Sequence, residues 1–129
     1  MNTHDYELAA AGGEPAVDFE QLRAASGDDP AFLADLVKLY FEQAGEIMPA
    51  LGAAVAGRSA RDVDYLSHKL AGASLSCGMS AMVAPLKEME KRGRNGDLTG
   101  AEAFLAQATA NLEIVRAAVQ EYLRANPAA

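Results

Sequence analysis

Along most of the chain, apolar residues recur at intervals of three and four, the spacing of amphipathic helices. The pattern predicts a short helix over residues 18–25 and a long helix over residues 30–56. Asp29 suits the N-cap of the long helix, and Pro30 suits its first position, where no backbone N–H is needed. Pro49 lies inside this helix, which predicts a kink or a break there.

Three more helices are predicted in the second half of the chain. The third opens on an apparent capping box at residues 59–62, where a serine precedes an acidic residue by three positions, and it ends before Gly78. The fourth is predicted over residues 80–92, followed by a loop over residues 93–96. A second capping box, at residues 99–102, opens the last helix.

Four substantial amphipathic helices joined by short loops predict an all-α protein, an up-and-down antiparallel four-helix bundle with a short additional N-terminal helix. The predicted bundle domain covers residues 17–125. Residues 1–16 show no periodicity and are predicted to form a flexible segment. Pro85 is awkward within the fourth helix and leaves a later start of that helix open as an alternative.

Composition and charge narrow the classes of function. The formal net charge is −7, which argues against binding to nucleic acid or to an anionic membrane surface. No apolar run approaches the roughly 18 residues of a membrane span. A single cysteine and two histidines offer neither a disulfide framework nor a zinc site, so we expect no metal and a cytoplasmic location.

His68 stands out because of its direction on the third helix. At about 100° per residue, it points roughly 180° away from the predicted core stripe of that helix, so it is predicted to face solvent. The stripe consists of Val63, Leu66, Leu70, Ala73 and Cys77. The face around His68 carries Arg61, Asp64, Tyr65, Gly72 and Leu75.

Gly72 lies one turn beyond His68, although glycine inside a helix costs about 1 kcal/mol relative to alanine. A missing side chain there would let another molecule approach the imidazole. An exposed imidazole is largely neutral at cytoplasmic pH, so one ring nitrogen offers a lone pair and can act as a nucleophile. The sequence has no serine elbow, no glycine-rich phosphate loop and no metal-ligand spacing. A covalent carrier, completed by a second protein, fits these features.

The sequence around this histidine resembles the signature of histidine-containing phosphotransfer (HPt) domains of bacterial multistep phosphorelays. Residues 68–78 read His-Lys-Leu-Ala-Gly-Ala-Ser-Leu-Ser-Cys-Gly, and they share the histidine, the leucine, both glycines and the small residues of that signature. Residues 27–33 resemble the family's entry to its long second helix, and residues 89–97 resemble the close of its fourth. The resemblance covers about residues 17–124.

The resemblance implies an up-and-down helical bundle and a shuttle role. His68 would accept a phosphoryl group from the aspartate of one receiver domain and pass it to another. The implied partners are receiver domains of hybrid histidine kinases and response regulators. The receiver would bring Mg²⁺, and this chain would need no cofactor and would have no turnover of its own.

The family often has lysine where this chain has Ala71. Positive charge for the phosphoryl group would then have to come from Lys69 or from Lys87, with Gly72 leaving room for it; Lys91 and Arg94 are further candidates. We expect the receiver to dock on the face around the histidine, on Arg61, Asp64, Tyr65, Ala71 and Leu75.

Three other functions remain to be weighed. A bundle that binds a receiver without being phosphorylated is the main alternative, and Ala71 keeps it open. A dimeric phosphotransferase of the histidine-kinase type usually has an acidic residue after the histidine, whereas Lys69 follows here, and we expect a monomer. An electron carrier or metal bundle is the least favoured, because the sequence has no inward Glu-x-x-His pairs.

Overall fold

The computed structural model describes residues 15–127, which contain five helices. A short first helix is followed by four longer helices, which pack in chain order as an up-and-down antiparallel bundle. Of the five helices, the third and the fourth pack most extensively against each other. The predicted fold class is confirmed. The helices are α1 (Phe19–Ala25), α2 (Pro30–Ala56), α3 (Ala60–Cys77), α4 (Ser80–Asn95) and α5 (Ala101–Ala125).

The first two helices begin as their sequences predict. The Asp18 carboxylate accepts the backbone N–H of Gln21 at 3.0 Å and caps α1. Asp29 caps α2 in the same way, and Pro30 occupies the first helical position. Gly78 ends α3 in the left-handed conformation, with φ of 75°, which glycine adopts without a steric penalty.

Neither predicted capping box forms. The hydroxyl of Ser59 hydrogen-bonds the carboxylate of Asp62 at 2.9 Å and makes no bond to the backbone of α3. The N-cap of α5 is Gly100 rather than Thr99, because the chain turns there through a φ of 81°. Glu102, the acidic member of that box, instead forms two 3.2 Å hydrogen bonds with an arginine of the α2–α3 loop.

Pro49 and Pro85 both lie inside continuous helices. A proline at position i leaves the carbonyl of residue i−4 without its helical donor. In α4, Pro85 leaves the carbonyl of Ala81 free, and the buried side-chain amide of Asn111 on α5 donates to it at 2.8 Å. This contact compensates for the proline, so α4 runs through it from Ser80 as predicted, and the alternative of a later start is wrong. The helix α2 is likewise not split at Pro49.

The core lies along the bundle axis and is closed at one end by α1. The rings of Phe19 on α1 and Tyr122 on α5 stack with their centroids 4.6 Å apart. Ala16, which the sequence placed in the flexible segment, is fully buried, and its carbonyl accepts the N–H of Ala81 at 2.9 Å. Residues 1–14 of that predicted segment lie outside the described residues.

Within residues 15–127, no helix is both long and apolar enough to cross a membrane. The same part of the chain contains no group of three or more histidine, cysteine or acidic side chains placed to hold a metal ion.

Candidate functional site

His68 lies on the exposed edge of α3 that borders α4, and 66% of its side chain is accessible. The predicted exposure is correct, but the predicted direction is not. The buried residues of α3 point on average about 130° from His68, rather than about 180°. These buried residues are Val63, Ser67, Leu70, Ala71, Ser74 and Cys77.

The buried stripe of α3 is rotated because two serines lie in it. The hydroxyls of Ser67 and Ser74 donate to carbonyls of their own helix, the latter to Leu70 at 2.7 Å, so both can be buried without unsatisfied polar atoms. Leu66 and Ala73, which the apolar pattern placed in the stripe, are only partly buried. The rotation brings His68 towards α4.

The neighbour that His68 meets on α4 is Glu90. Its carboxylate accepts a hydrogen bond from Nδ1 of His68, and only 6% of the Glu90 side chain is accessible. Nζ of Lys87 lies 3.3 Å from the other carboxylate oxygen, Oε1. Arg94 donates to Oε2 at 3.1 Å and also lies 3.6 Å from the carboxylate of Asp64 on α3. One buried carboxylate thus collects three donors.

These donors keep Glu90 ionised. Burial by itself would raise the pKa of Glu90, but the hydrogen bonds from His68 and Lys87 outweigh it, so the pKa lies below its usual value. A lowered pKa means that the carboxylate contributes stability at neutral pH, and that this contribution is lost as the pH falls through the lowered pKa. Glu90 is therefore an acceptor, and the proton it shares with His68 belongs to Nδ1.

A close approach of α3 and α4 brings the carboxylate of Glu90 to His68. A Cβ atom on Gly93 would lie 2.5 Å from the backbone nitrogen of Asp64 and 2.7 Å from the carbonyl oxygen of Ala60. Only glycine permits that distance, and Gly93 lies one turn from Glu90 on α4. The sequence had placed Gly93 in a loop, whereas it is a buried residue of the helix.

The arrangement fixes the chemistry of the imidazole. A neutral imidazole has one N–H and one lone pair, and the hydrogen bond made by one nitrogen decides where the lone pair lies. Because Nδ1 of His68 donates to Glu90, the lone pair is on Nε2, and the ring is largely exposed. The site therefore presents an accessible nucleophilic nitrogen on a rigid helix.

Several residues predicted from the sequence lie on the surface around this nitrogen. Tyr65 and Leu75 are among the exposed large hydrophobic residues, and Arg61 is also exposed. Gly72 is exposed, and a Cβ atom added to it would meet nothing within 4 Å. Lys69 is exposed and pairs with no other residue of 15–127.

Ala71 corrects one expectation. It is 0% exposed and belongs to the core, so it cannot be part of a surface on which a receiver docks. Its direction on α3 is about 60° from that of His68, on the side that faces the bundle interior. Asp64 is also not a free docking residue, since it is half-buried and ion-paired with Arg94.

Sequence reasoning missed the role of Glu90. A signal was present: Glu90 has a lysine three residues before it and an arginine four residues after it, and it borders the apolar stripe of α4. A glutamate at such a border, flanked by bases on the same helix, marks a partly buried ionic cluster. Its pairing with His68 depends on the register between α3 and α4, which the sequence does not reveal.

The structure also adds an apolar part to the surface on α2. Phe32 and Leu39 are the two large hydrophobic residues exposed there. Phe41 contacts Arg116 of α5, and Leu39 points about 160° away from Phe41 around α2, so Leu39 lies on the side away from α5. All four exposed large hydrophobics of residues 15–127 thus lie on α2 and α3.

Comparison with known proteins identifies the family of this chain. The family model of the Hpt domain matches residues 35–122, which is more than half of the chain and includes His68 and Glu90. The chain therefore belongs to the Hpt domain family, whose members are phosphoryl carriers.

A solved structure gives a second similarity. The chain is similar to the crystal structure of histidine-containing phosphotransfer protein B (HptB) from Pseudomonas aeruginosa PAO1. The identity is 25% and the TM-score is 0.78, over 85% of this chain and 96% of that one. No curated protein matches the chain.

Proposed function

We propose that this protein is a phosphoryl carrier, in which His68 accepts a phosphoryl group from the aspartyl phosphate of one receiver domain and passes it to another. The observation that carries the proposal is the exposed imidazole whose Nδ1–H is held by Glu90, so that the lone pair on Nε2 is available to a partner. Membership of the Hpt domain family supports it.

In the proposed transfer, one bond to phosphorus forms, one breaks, and no proton leaves His68. The lone pair on Nε2 of His68 attacks phosphorus, the Nε2–P bond forms, and the P–O bond to the receiver's aspartate breaks. The proton on Nδ1 stays in place, so the ring becomes positively charged, and the Glu90 carboxylate stabilises that charge. Because no proton has to leave, the same site can run the reaction backwards.

The proposal assigns the remaining chemistry to the partner. Phosphoryl transfer depends mainly on positioning and on neutralising the phosphoryl oxygens. The receiver would bring Mg²⁺, and this chain would need no cofactor. We further propose that it works as a monomer in the cytoplasm, and that its partners are receivers of hybrid histidine kinases and response regulators.

Docking would use the apolar surface beside the histidine. Exposed large hydrophobic side chains next to a reactive group are typical of a transient interface. Leu39 on α2 and Tyr65 and Leu75 on α3 would contact the receiver, with Arg61 at the rim. Gly72 would provide the clearance that lets the partner's aspartate reach Nε2.

The test is transfer of labelled phosphate from a phosphorylated receiver domain to the intact protein. We expect label that is labile in acid and stable in alkali, as expected for phosphohistidine. A receiver that binds the protein without transferring label would support the unphosphorylated interaction module instead. A dimer in light scattering would favour a phosphotransferase of the histidine-kinase type.

A second prediction concerns the clearance at Gly72. Gly72→Gln should weaken receiver binding at least tenfold, because its side chain would occupy the open space beside the imidazole. Gly45→Gln on α2 is the matched control, since a Cβ atom there also meets nothing within 4 Å. Both changes should raise stability by about 0.5–1 kcal/mol, because glycine is a poor helix former. Equal affinities of the two variants in a titration would refute the docking geometry.

A further inference from the structure

Phosphate on Nε2 of His68 would need a counter-charge from this chain or its partner. Lys91 projects about 100° around α4 from Glu90. Four other basic side chains lie within two turns of His68 on α3 or pair with Glu90 on α4: Arg61, Lys69, Lys87 and Arg94. Their positions and existing ion pairs decide which of them can reach a phosphoryl group on His68.

Three of the four are poorly placed or already engaged. Arg61 lies seven residues from His68, about 10 Å along the helix axis, and Lys69 projects about 100° around the helix from it. Arg94 is held between two carboxylates, that of Glu90 at 3.1 Å and that of Asp64 at 3.6 Å. Releasing it would leave both acids without their shared cation.

Lys87 is the cation that can move. Its only ion pair within residues 15–127 is with Oε1 of Glu90 at 3.3 Å, which is long for a charged hydrogen bond. Nearly half of its side chain, 47%, is accessible. If it leaves, Glu90 still keeps the donors His68 and Arg94. Its departure therefore costs this carboxylate one of three partners.

The register of the helices places Lys87 one turn beyond the histidine. The two helices are antiparallel: Gly93 lies against Asp64, and Glu90 reaches His68. Three residues further back on α4, Lys87 is therefore level with the next turn of α3, beside Gly72. A Cβ atom on Gly72 would meet nothing within 4 Å, so the space next to the phosphoryl group is open to a lysine chain.

We propose that Lys87 exchanges its ion pair with Glu90 for one with the phosphoryl oxygens on phosphorylated His68. It thereby supplies, from α4, the positive charge that the buried Ala71 does not provide from α3. This inference rests on the proposed phosphorylation of His68.

An ion pair between Lys87 and the phosphoryl group should change the pKa of that group even when no receiver is present. A nearby ammonium stabilises the dianionic form of a phosphoryl group, and so lowers the pKa of that group. Without the lysine, the phosphoryl group should bind its proton more tightly. A tenfold change in proton affinity is a reasonable size for one such contact at a partly exposed site.

The experiment is a ³¹P NMR pH titration of the intact protein after phosphorylation with phosphoramidate, a small-molecule phosphoryl donor. In Lys87→Met, we expect the pKa of the phosphoryl group to rise, with proton affinity about tenfold higher than in wild type. Lys69→Met is the matched control and should titrate like wild type. Equal titrations of wild type and Lys87→Met, or equal shifts in both variants, would overturn the proposal.

A double-variant cycle separates direct contact from an effect through the carboxylate. If Lys87 contacts the phosphoryl group, Lys87→Met should still raise proton affinity when made in a Glu90→Gln protein. If Lys87 only orders Glu90, the effect should vanish in that background, which would contradict the proposal. Absence of phosphate on wild-type His68 would instead refute the proposed function, and this inference with it.

Discussion

Replacing His68 by glutamine is expected to abolish phosphoryl acceptance and to leave the bundle folded. The imidazole is 66% exposed and its hydrogen bond is to Glu90, so little packing is lost. A glutamine amide can donate to the same carboxylate and suits a helix, so the free energy of unfolding should change by no more than about 1 kcal/mol. No label from a phosphorylated receiver should reach the variant.

The other histidine provides the control for this experiment. His4→Gln should accept label as wild type does. Circular dichroism and thermal unfolding of the His68→Gln protein should match those of wild type. Label that persists on His68→Gln would place the acceptor elsewhere, and loss of helix would contradict the exposed position of this side chain.

The second large effect is expected at Glu90. Glu90→Ala should slow phosphoryl transfer by about 10- to 100-fold, the loss that follows when the hydrogen-bond partner that orients a metal-ligating histidine is removed. Without the carboxylate, Nδ1 loses its acceptor, the ring is free to turn, and the lone pair is no longer confined to Nε2. Nothing then balances the positive charge that develops on the ring.

Two further variants sharpen this prediction. Glu90→Gln keeps an oxygen that can accept the Nδ1–H but removes the charge, so its rate should fall between those of wild type and Glu90→Ala. Glu113→Ala removes an exposed carboxylate that is ion-paired with Arg116 on α5, and it should leave the rate unchanged. A Glu90→Ala protein that transfers at the wild-type rate would reduce this carboxylate to a structural role.

The helices and the exposed histidine could be predicted because both depend on local pattern. Periodicity located all five helices, and the acidic N-caps of α1 and α2 were correct because their side chains meet backbone N–H groups within three residues. The start of α4 near Ser80 was predicted correctly, but the sequence left a later start at Pro85 open, because the donor that replaces the missing bond, Asn111, comes from another helix. Local pattern does not report such tertiary partners.

The immediate surroundings of His68 could not be predicted, because they depend on how α3 meets α4. Ser67 and Ser74 can be buried because their hydroxyls donate to carbonyls of their own helix. The buried stripe of α3 is therefore rotated from the predicted one, and it includes Ala71. The close contact at Gly93 then sets the register that pairs Glu90 with His68. Reading hydrophobicity alone placed Gly93 in a loop and left Glu90 without a role.

The central claim is that Glu90 holds Nδ1–H of His68 and so leaves Nε2 to take the phosphoryl group. Nitrogen-15 NMR of the histidine ring, in the resting protein and after phosphorylation with phosphoramidate, tests it most directly. We predict a proton on Nδ1 and none on Nε2 of the neutral ring in the resting protein, and coupling of phosphorus to Nε2 after phosphorylation. A resting proton on Nε2, or phosphorus bound to Nδ1, would contradict the account.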